Sequence, residues 1–168
     1  KGVEDYDQNL KHLGDFHTVQ GFWGFYCHLV RPDEMPSPSD YHLFKQSVKP
    51  MWEDPENAQG GKWMVRMKRH FTPRLWEDLV LALVGNQFGE DDVTGCVLSI
   101  RDHDILSVWT KNAKDERQKY NVRNVIRRVL DLPPGTKMEF KPHNASLKEP
   151  SSFRGSDIYV VPGPSIAP

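Results

Sequence analysis

The chain has 168 residues, 38% of them hydrophobic and 27% charged, with a net charge of −1. That is the length of one domain with an ordinary core, and the charge excludes a strongly basic general polyanion binder. Its five tryptophans are about twice the usual share, a residue enriched where a flat apolar face meets a partner.

Any nucleic-acid contact must come from a local cluster of lysine and arginine. Cys27 and Cys96 lie in apolar segments without CxxC spacing, which predicts reduced, buried thiols in an intracellular protein. No apolar run is long enough to span a membrane and no signal peptide is visible, so a cytoplasmic location, with the nucleus also open, is expected.

Taken in chain order, Thr18 caps a predicted helix from about Val19 to Val30, which Pro32 ends. Three prolines make Arg31 to Ser39 a loop, and Tyr41 to Lys45 alternates weakly, as a strand would. Gly60-Gly61 opens a clear strand through Lys68. Period-2 alternation puts Trp63, Val65 and Met67 on one face and Lys62, Arg66 and Lys68, with Met64 between them, on the other. From this segment alone, such a basic stripe reads somewhat more readily as a solvated outer face than as a binding surface.

Thr72-Pro73 starts a helix, with Thr72 as cap, that runs to Val84 and stops at Gly85. Gly95–Arg101 and Ile105–Thr110 form a hairpin across Asp-His-Asp. Asp115 caps a third helix bearing Val122, Val125, Ile126, Val129 and Leu130 at helical spacing, which Pro133-Pro134 ends. A strand follows at about Lys137 to Lys141, and a tail is expected from 151 onward. Long strands with separate helices predict an α+β fold, a curved antiparallel sheet covered by three helices on its convex face.

Within Lys49-Pro-Met-Trp-Glu-Asp54, Trp52 and Glu53 are loop neighbours, and a tryptophan on a mobile loop is costly to expose unless it stacks. An adjacent carboxylate can accept both donors of a guanine's Watson–Crick edge. Methylation at N7 makes that base cationic and adds about 1–2 kcal/mol of cation–π attraction to an indole. On these residues alone, a core-edge tryptophan beside a solvated glutamate is an equal reading.

Whole motifs weigh further. Val19-Gln-Gly-Phe-Trp23, Phe44-Lys-Gln-Ser-Val-Lys-Pro-Met-Trp-Glu-Asp54, Gly60-Gly-Lys-Trp63, Gly95-Cys-Val-Leu-Ser-Ile-Arg101, Leu106-Ser-Val-Trp109 and Leu132-Pro-Pro134 occur in this order. Together they resemble the translation initiation factor 4E family over about residues 6 to 148. Tyr6, Trp76-Glu77, Tyr26-Cys-His-Leu-Val30 and Met35-Pro-Ser-Pro-Ser39 look most like the 4E homologous protein and plant novel cap-binding protein class.

The resemblance implies a site for the 7-methylguanosine cap of mRNA in the concave face. Tyr6 and Trp52 would sandwich the methylated base, Glu53 read its edge, Trp109 meet the methyl group, and Lys62 and Arg101 meet the phosphates; Arg66, on the strand face of Lys62, is expected in the phosphate region too. Several departures thin the phosphate half. Ile105 stands where many relatives have lysine, and Asp102 and Asp104 bring negative charge to the turn after Arg101; Tyr6 stacks less strongly than tryptophan would. The expected affinity is therefore below that of the main initiation factor.

The resemblance also implies a second surface, for a protein partner whose helix carries a Tyr-x4-Leu-Φ motif. Val19 and Trp23 would take it together with Asp78, Leu81, Val84 and Gly85, by helix-in-groove recognition on the convex face; without the resemblance, an ordinary core aromatic is the favoured reading of Trp23. The family's first strand is expected ahead of Lys1, and either its loss by truncation or a role for Ile158-Tyr-Val-Val161 would account for its absence. His17, His42, His70, His103 and His143 share no ligand spacing and Cys27-His28 diverge on a helix, so neither a metal nor catalysis is expected.

The expectation is thus a monomeric cap-binding domain over 1–150 with a tail over 151–168, needing no cofactor and catalysing nothing. It would act in translational control as a class II repressor. The alternatives are an initiation factor recruiting a scaffold subunit, or a 4E-fold interaction module with little cap affinity.

Overall fold

The computed structural model describes residues 10–89, 92–144 and 156–163, and the chain divides into two units, Lys1–Val30 and Arg31–Pro168. Tyr6 lies outside the described residues.

In the first unit the Thr18 hydroxyl accepts the Gly21 N–H at 3.0 Å and opens helix α1, Val19–Tyr26. The helix stops four residues short of the expected end. His28 turns its Nδ1 back to the Gly24 carbonyl at 2.8 Å, taking the acceptor that a continuing helix would give to its own N–H. That N–H bonds to the Phe25 carbonyl instead, at 3.0 Å, a tighter turn that ends the helix. Phe22 is the buried centre of this unit, edge-on to Phe16 at 5.4 Å and stacked on Tyr26 at 5.2 Å.

The second unit is built on a curved antiparallel sheet of six strands among the described residues. They are β1 (Ser39–Phe44), β2 (Gly61–Met67), β3 (Val93–Ile100), β4 (Asp104–Thr110), β5 (Lys137–Pro142) and β6 (Asp157–Val160), in the order β1-β3-β4-β2-β5-β6. The expected hairpin is β3–β4. Gly60 and Gly61 serve close approach, because a Cβ would strike the Thr110 carbonyl at the first and the Phe140 ring at the second. β6 corrects the expectation of a tail from 151 onward: Asp157–Val160 pairs with β5, an edge where free backbone donors find partners.

Helices α2 (Thr72–Val84) and α3 (Glu116–Val129) each bury one apolar face, Trp76, Leu79, Val80 and Ala82 on α2 and Val122, Val125 and Ile126 on α3. Trp76 of α2 stacks on Tyr41 at 6.3 Å with 14° between planes, and Trp63 donates its indole N–H to the Lys119 carbonyl of α3 at 3.0 Å. Asp115 caps α3 as predicted, accepting the Gln118 N–H at 3.0 Å, and Gly85 follows the last residue of α2. Thr72 does not cap α2. It is the first residue of the helix, and its buried hydroxyl donates to Asp104 at 2.7 Å.

Candidate functional site

Strand register lays out one face of the sheet in rows, since paired residues point to the same side. The first row runs Phe44, Gly95, Trp109, Lys62, Lys141; the second His42, Val97, Ser107, Met64, Glu139; the third Asp40, Ser99, Ile105, Arg66. The alternation read in β2 therefore holds, and Ile105 and Ser107 share the face of Trp109 as expected.

Trp109 is 5% exposed. The Phe44 ring meets it edge-on at 5.3 Å, in space that only glycine at position 95 leaves open, because a Cβ there would collide with that ring. The fully buried His143 also lies against the indole, with ring centres 4.3 Å apart. Burial, and then the neighbouring Lys62 charge, push the imidazole down to about 3, so His143 is neutral at physiological pH.

Lys62 is where strand and loop converge. Its ammonium stands 5.7 Å from the Trp52 ring centre and 6.0 Å from that of Trp109, within cation–π reach of both. Burial chiefly, and repulsion from the buried Lys141, lower its pKa to about 8, against the opposing pull of Asp40. Asp40 thus acts on Lys62 although two strands, β3 and β4, lie between β1 and β2, as a curved face allows. His42 is likewise held below its ordinary range by burial, with Asp40 and Arg101 acting in opposite senses.

Trp52 and Glu53 sit on a loop that is pinned rather than mobile. Asp54 accepts the backbone N–H groups of Lys49 at 3.0 Å and Glu56 at 2.9 Å. Asn57, fully buried, donates its amide to the Lys49 carbonyl at 2.8 Å and the Met51 carbonyl at 2.9 Å. Lys111 pairs with Glu56 at 2.6 Å, and the Ala113 N–H bonds to the Gln59 carbonyl at 2.9 Å, tying the loop to the end of β4. Glu53 is exposed beside a half-buried Trp52.

The cationic residues do not all converge. Arg66 stands by Ile105 in the third row, four residues from Lys62 along β2, or about 13 Å at strand rise. Arg101 is engaged within the protein: its Nη1 donates to the carbonyls of Ser39 at 3.0 Å and Ile100 at 2.7 Å, and its Nη2 to both oxygens of Asp40 at 3.1 and 2.9 Å. Asp104 does not oppose a ligand as expected from sequence. It is buried, paired with Arg69 at 3.0 Å and bonded by Thr72, so its charge is spent inside the fold. Asp102 remains exposed.

For the second surface, Val19 is 65% and Trp23 40% exposed, one turn apart on α1, so Trp23 is no ordinary core aromatic. On α2, Leu81, Val84 and Gly85 are exposed and Asp78 pairs with Arg74 at 3.6 Å. The two sets belong to the two separate units. Trp76 is buried in the second, which leaves Glu77 as the exposed half of that dipeptide.

Sequence reasoning missed Asp40, Asn57 and His143. The Asp54-Pro-Glu-Asn57 run is a turn signature that could have revealed Asn57; no local pattern marks the other two. Of the cysteines, Cys96 is buried, and burial pushes its thiol well up. Cys27 is exposed, a correction that follows from the early end of α1. Among the described residues no group of three or more His, Cys, Asp or Glu is placed to hold a metal ion, and no helix is long and apolar enough to cross a membrane.

A family model described as eukaryotic initiation factor 4E matches residues 1–158. The rice (Oryza sativa subsp. japonica) protein named eukaryotic translation initiation factor NCBP is 52% identical over 155 residues, covering 91% of this chain and 68% of that one. Among solved structures, C. elegans eIF4E-3 in complex with the 4E-binding protein Mextli and a cap analog is 34% identical, with a TM-score of 0.82, covering 87% of this chain and 86% of that one. Ascaris suum eIF4E-3 with an m7G cap is 27% identical, with a TM-score of 0.82, covering 98% of this chain and 91% of the other.

Proposed function

The chain belongs to the eukaryotic initiation factor 4E family, and from that premise we propose that it binds the 7-methylguanosine cap of mRNA in the cytoplasm and acts in translational control. The observation that carries this reading is the Lys62 ammonium facing both Trp52 and Trp109. A cation already stands within reach of both indoles, and a methylated guanine is a flat cation of greater aromatic surface. In this reading the base displaces the ammonium from the rings, Trp109 meets the methyl group, and Lys62 turns to the phosphates. Glu53 accepts N1–H and N2–H₂, and Tyr6 closes the stack. The relatives solved with an m7G cap, or with a cap analog and a 4E-binding protein, support it.

The same reading makes the protein a binder rather than an enzyme, a monomer without cofactor, and a class II repressor that engages a Tyr-x4-Leu-Φ helix through Val19, Trp23, Asp78, Leu81, Val84 and Gly85. The exposed Trp23 supports that surface.

Titration of intrinsic tryptophan fluorescence with 7-methyl-GTP and with GTP tests the claim. The charge on the methylated base should give a preference of about tenfold or more, lost in Trp52→Ala, while Glu53→Gln should weaken 7-methyl-GTP binding itself. Equal affinities would overturn it. The Asp40–Arg101 pairing and Ile105 favour a second reading, a 4E-fold interaction module with little cap affinity; retention on a 7-methyl-GTP resin excludes that one. Capture of scaffold-type against repressor-type peptides separates initiation from repression.

A further inference from the structure

We propose that Asp40 is a specificity-determining residue that holds Arg101 as an internal substitute for a ligand phosphate, so that the site grips the methylated base more than the phosphate chain. This rests on the cap-binding reading above and concerns the balance within that site.

Both terminal nitrogens of Arg101 are engaged within the protein. Nη1 is clamped by the Ser39 and Ile100 carbonyls at 3.0 and 2.7 Å, and Nη2 by the two carboxylate oxygens of Asp40 at 3.1 and 2.9 Å. The two carbonyls fix where the guanidinium sits, whereas the carboxylate occupies the place a phosphate oxygen would take, with the same charge and the same acceptor geometry. A phosphate reaching Arg101 must therefore displace Asp40 and gains only the difference between two like interactions. The exchange is open to solvent, because the side chains are 42% and 31% exposed. Asp40 also acts electrostatically on Lys62 and His42, so its charge offsets more than one of the cationic groups on this face.

The competing explanation is a surface ion pair that merely fastens β1 to the end of β3. It predicts a loss of stability on substitution and no change in ligand preference.

Wild type, Asp40→Asn and the double variant Asp40→Asn/Arg101→Gln are titrated with 7-methylguanosine, its 5′-monophosphate and its 5′-triphosphate at fixed salt. Asp40→Ser serves as second variant should Asp40→Asn misfold by circular dichroism. Freeing one exposed charged contact should tighten the triphosphate about fivefold, tighten the monophosphate less and leave the nucleoside unchanged. The gain should vanish in the double variant, since it passes through Arg101. Unchanged triphosphate affinity in the single variants overturns the proposal, as does a gain shared by the nucleoside or one that survives without Arg101; in each case the preference of wild type for 7-methyl-GTP over GTP would still stand. Failure of wild type to prefer 7-methyl-GTP removes the parent reading instead, and this one with it.

Discussion

At the scale of single residues the site is defined by two bases kept below their ordinary pKa by burial. His143 is pushed down to about 3, so between that value and the ordinary 6.5 the unfolded chain takes up a proton that the folded chain refuses. Its contribution to stability is complete above pH 6.5 and is lost progressively as the pH falls toward 3. Replacing it with phenylalanine keeps a ring against Trp109 and removes the titration. Urea midpoints measured from pH 7 to pH 4 should fall less in His143→Phe than in wild type; parallel curves would show that the imidazole is not buried as described. Lys62 carries the same arithmetic in a higher pH window. With a folded value of about 8 against 10.5, its charge costs the fold stability at neutral pH, and that cost is relieved as the pH climbs from 8 toward 10.5. A cation held at such a disadvantage against two indoles is consistent with binding rather than with structure.

At the scale of elements, the loop over residues 49–60 decides whether Trp52 is presented or merely exposed. Asn57 is its internal post, fully buried with its amide spanning the carbonyls of Lys49 and Met51. Truncation orphans both carbonyls and should cost about 2 kcal/mol. Asn57→Ala should therefore weaken 7-methyl-GTP binding more than Val122→Ala, a core truncation of comparable cost in α3. Denaturation and titration of both variants check this; equal effects on binding would mean that the loop keeps its shape without Asn57. The alternation of β2, the β3–β4 hairpin, the Asp115 cap and the Gly85 stop were all legible in the sequence, because each depends on neighbours within a few positions. The fate of Asp104 was not. Its partners Arg69 and Thr72 lie more than thirty positions away in the chain, and only the meeting of α2's entrance with β4 turns an expected surface charge into a buried pair.

At the scale of the whole molecule, each unit exposes apolar side chains on a helix of its own: Trp23 on α1 in the first, Leu81 on α2 in the second. In the partner reading proposed above, Trp23→Ala and Leu81→Ala should each reduce capture of a synthetic Tyr-x4-Leu-Φ peptide by about tenfold, as anchor truncations do. Peptide pull-down quantified for each variant reads this directly. Loss in only one of them would confine the partner site to a single unit.

The sequence by itself determined the α+β class, the order of most elements and the family, and it singled out Trp52, Glu53, Lys62 and Trp109 as the residues of the proposed site. Motif spacing and period-2 alternation are local properties, and they survive folding unchanged. Tertiary structure alone decided which charges remain available. It buried Asp104 against Arg69, set Asp40 on Arg101, slid a neutral His143 against Trp109, and added β6 to the sheet edge where a tail was expected. Those outcomes depend on distances between chain segments far apart in sequence and on desolvation at each meeting point, quantities that no single segment contains.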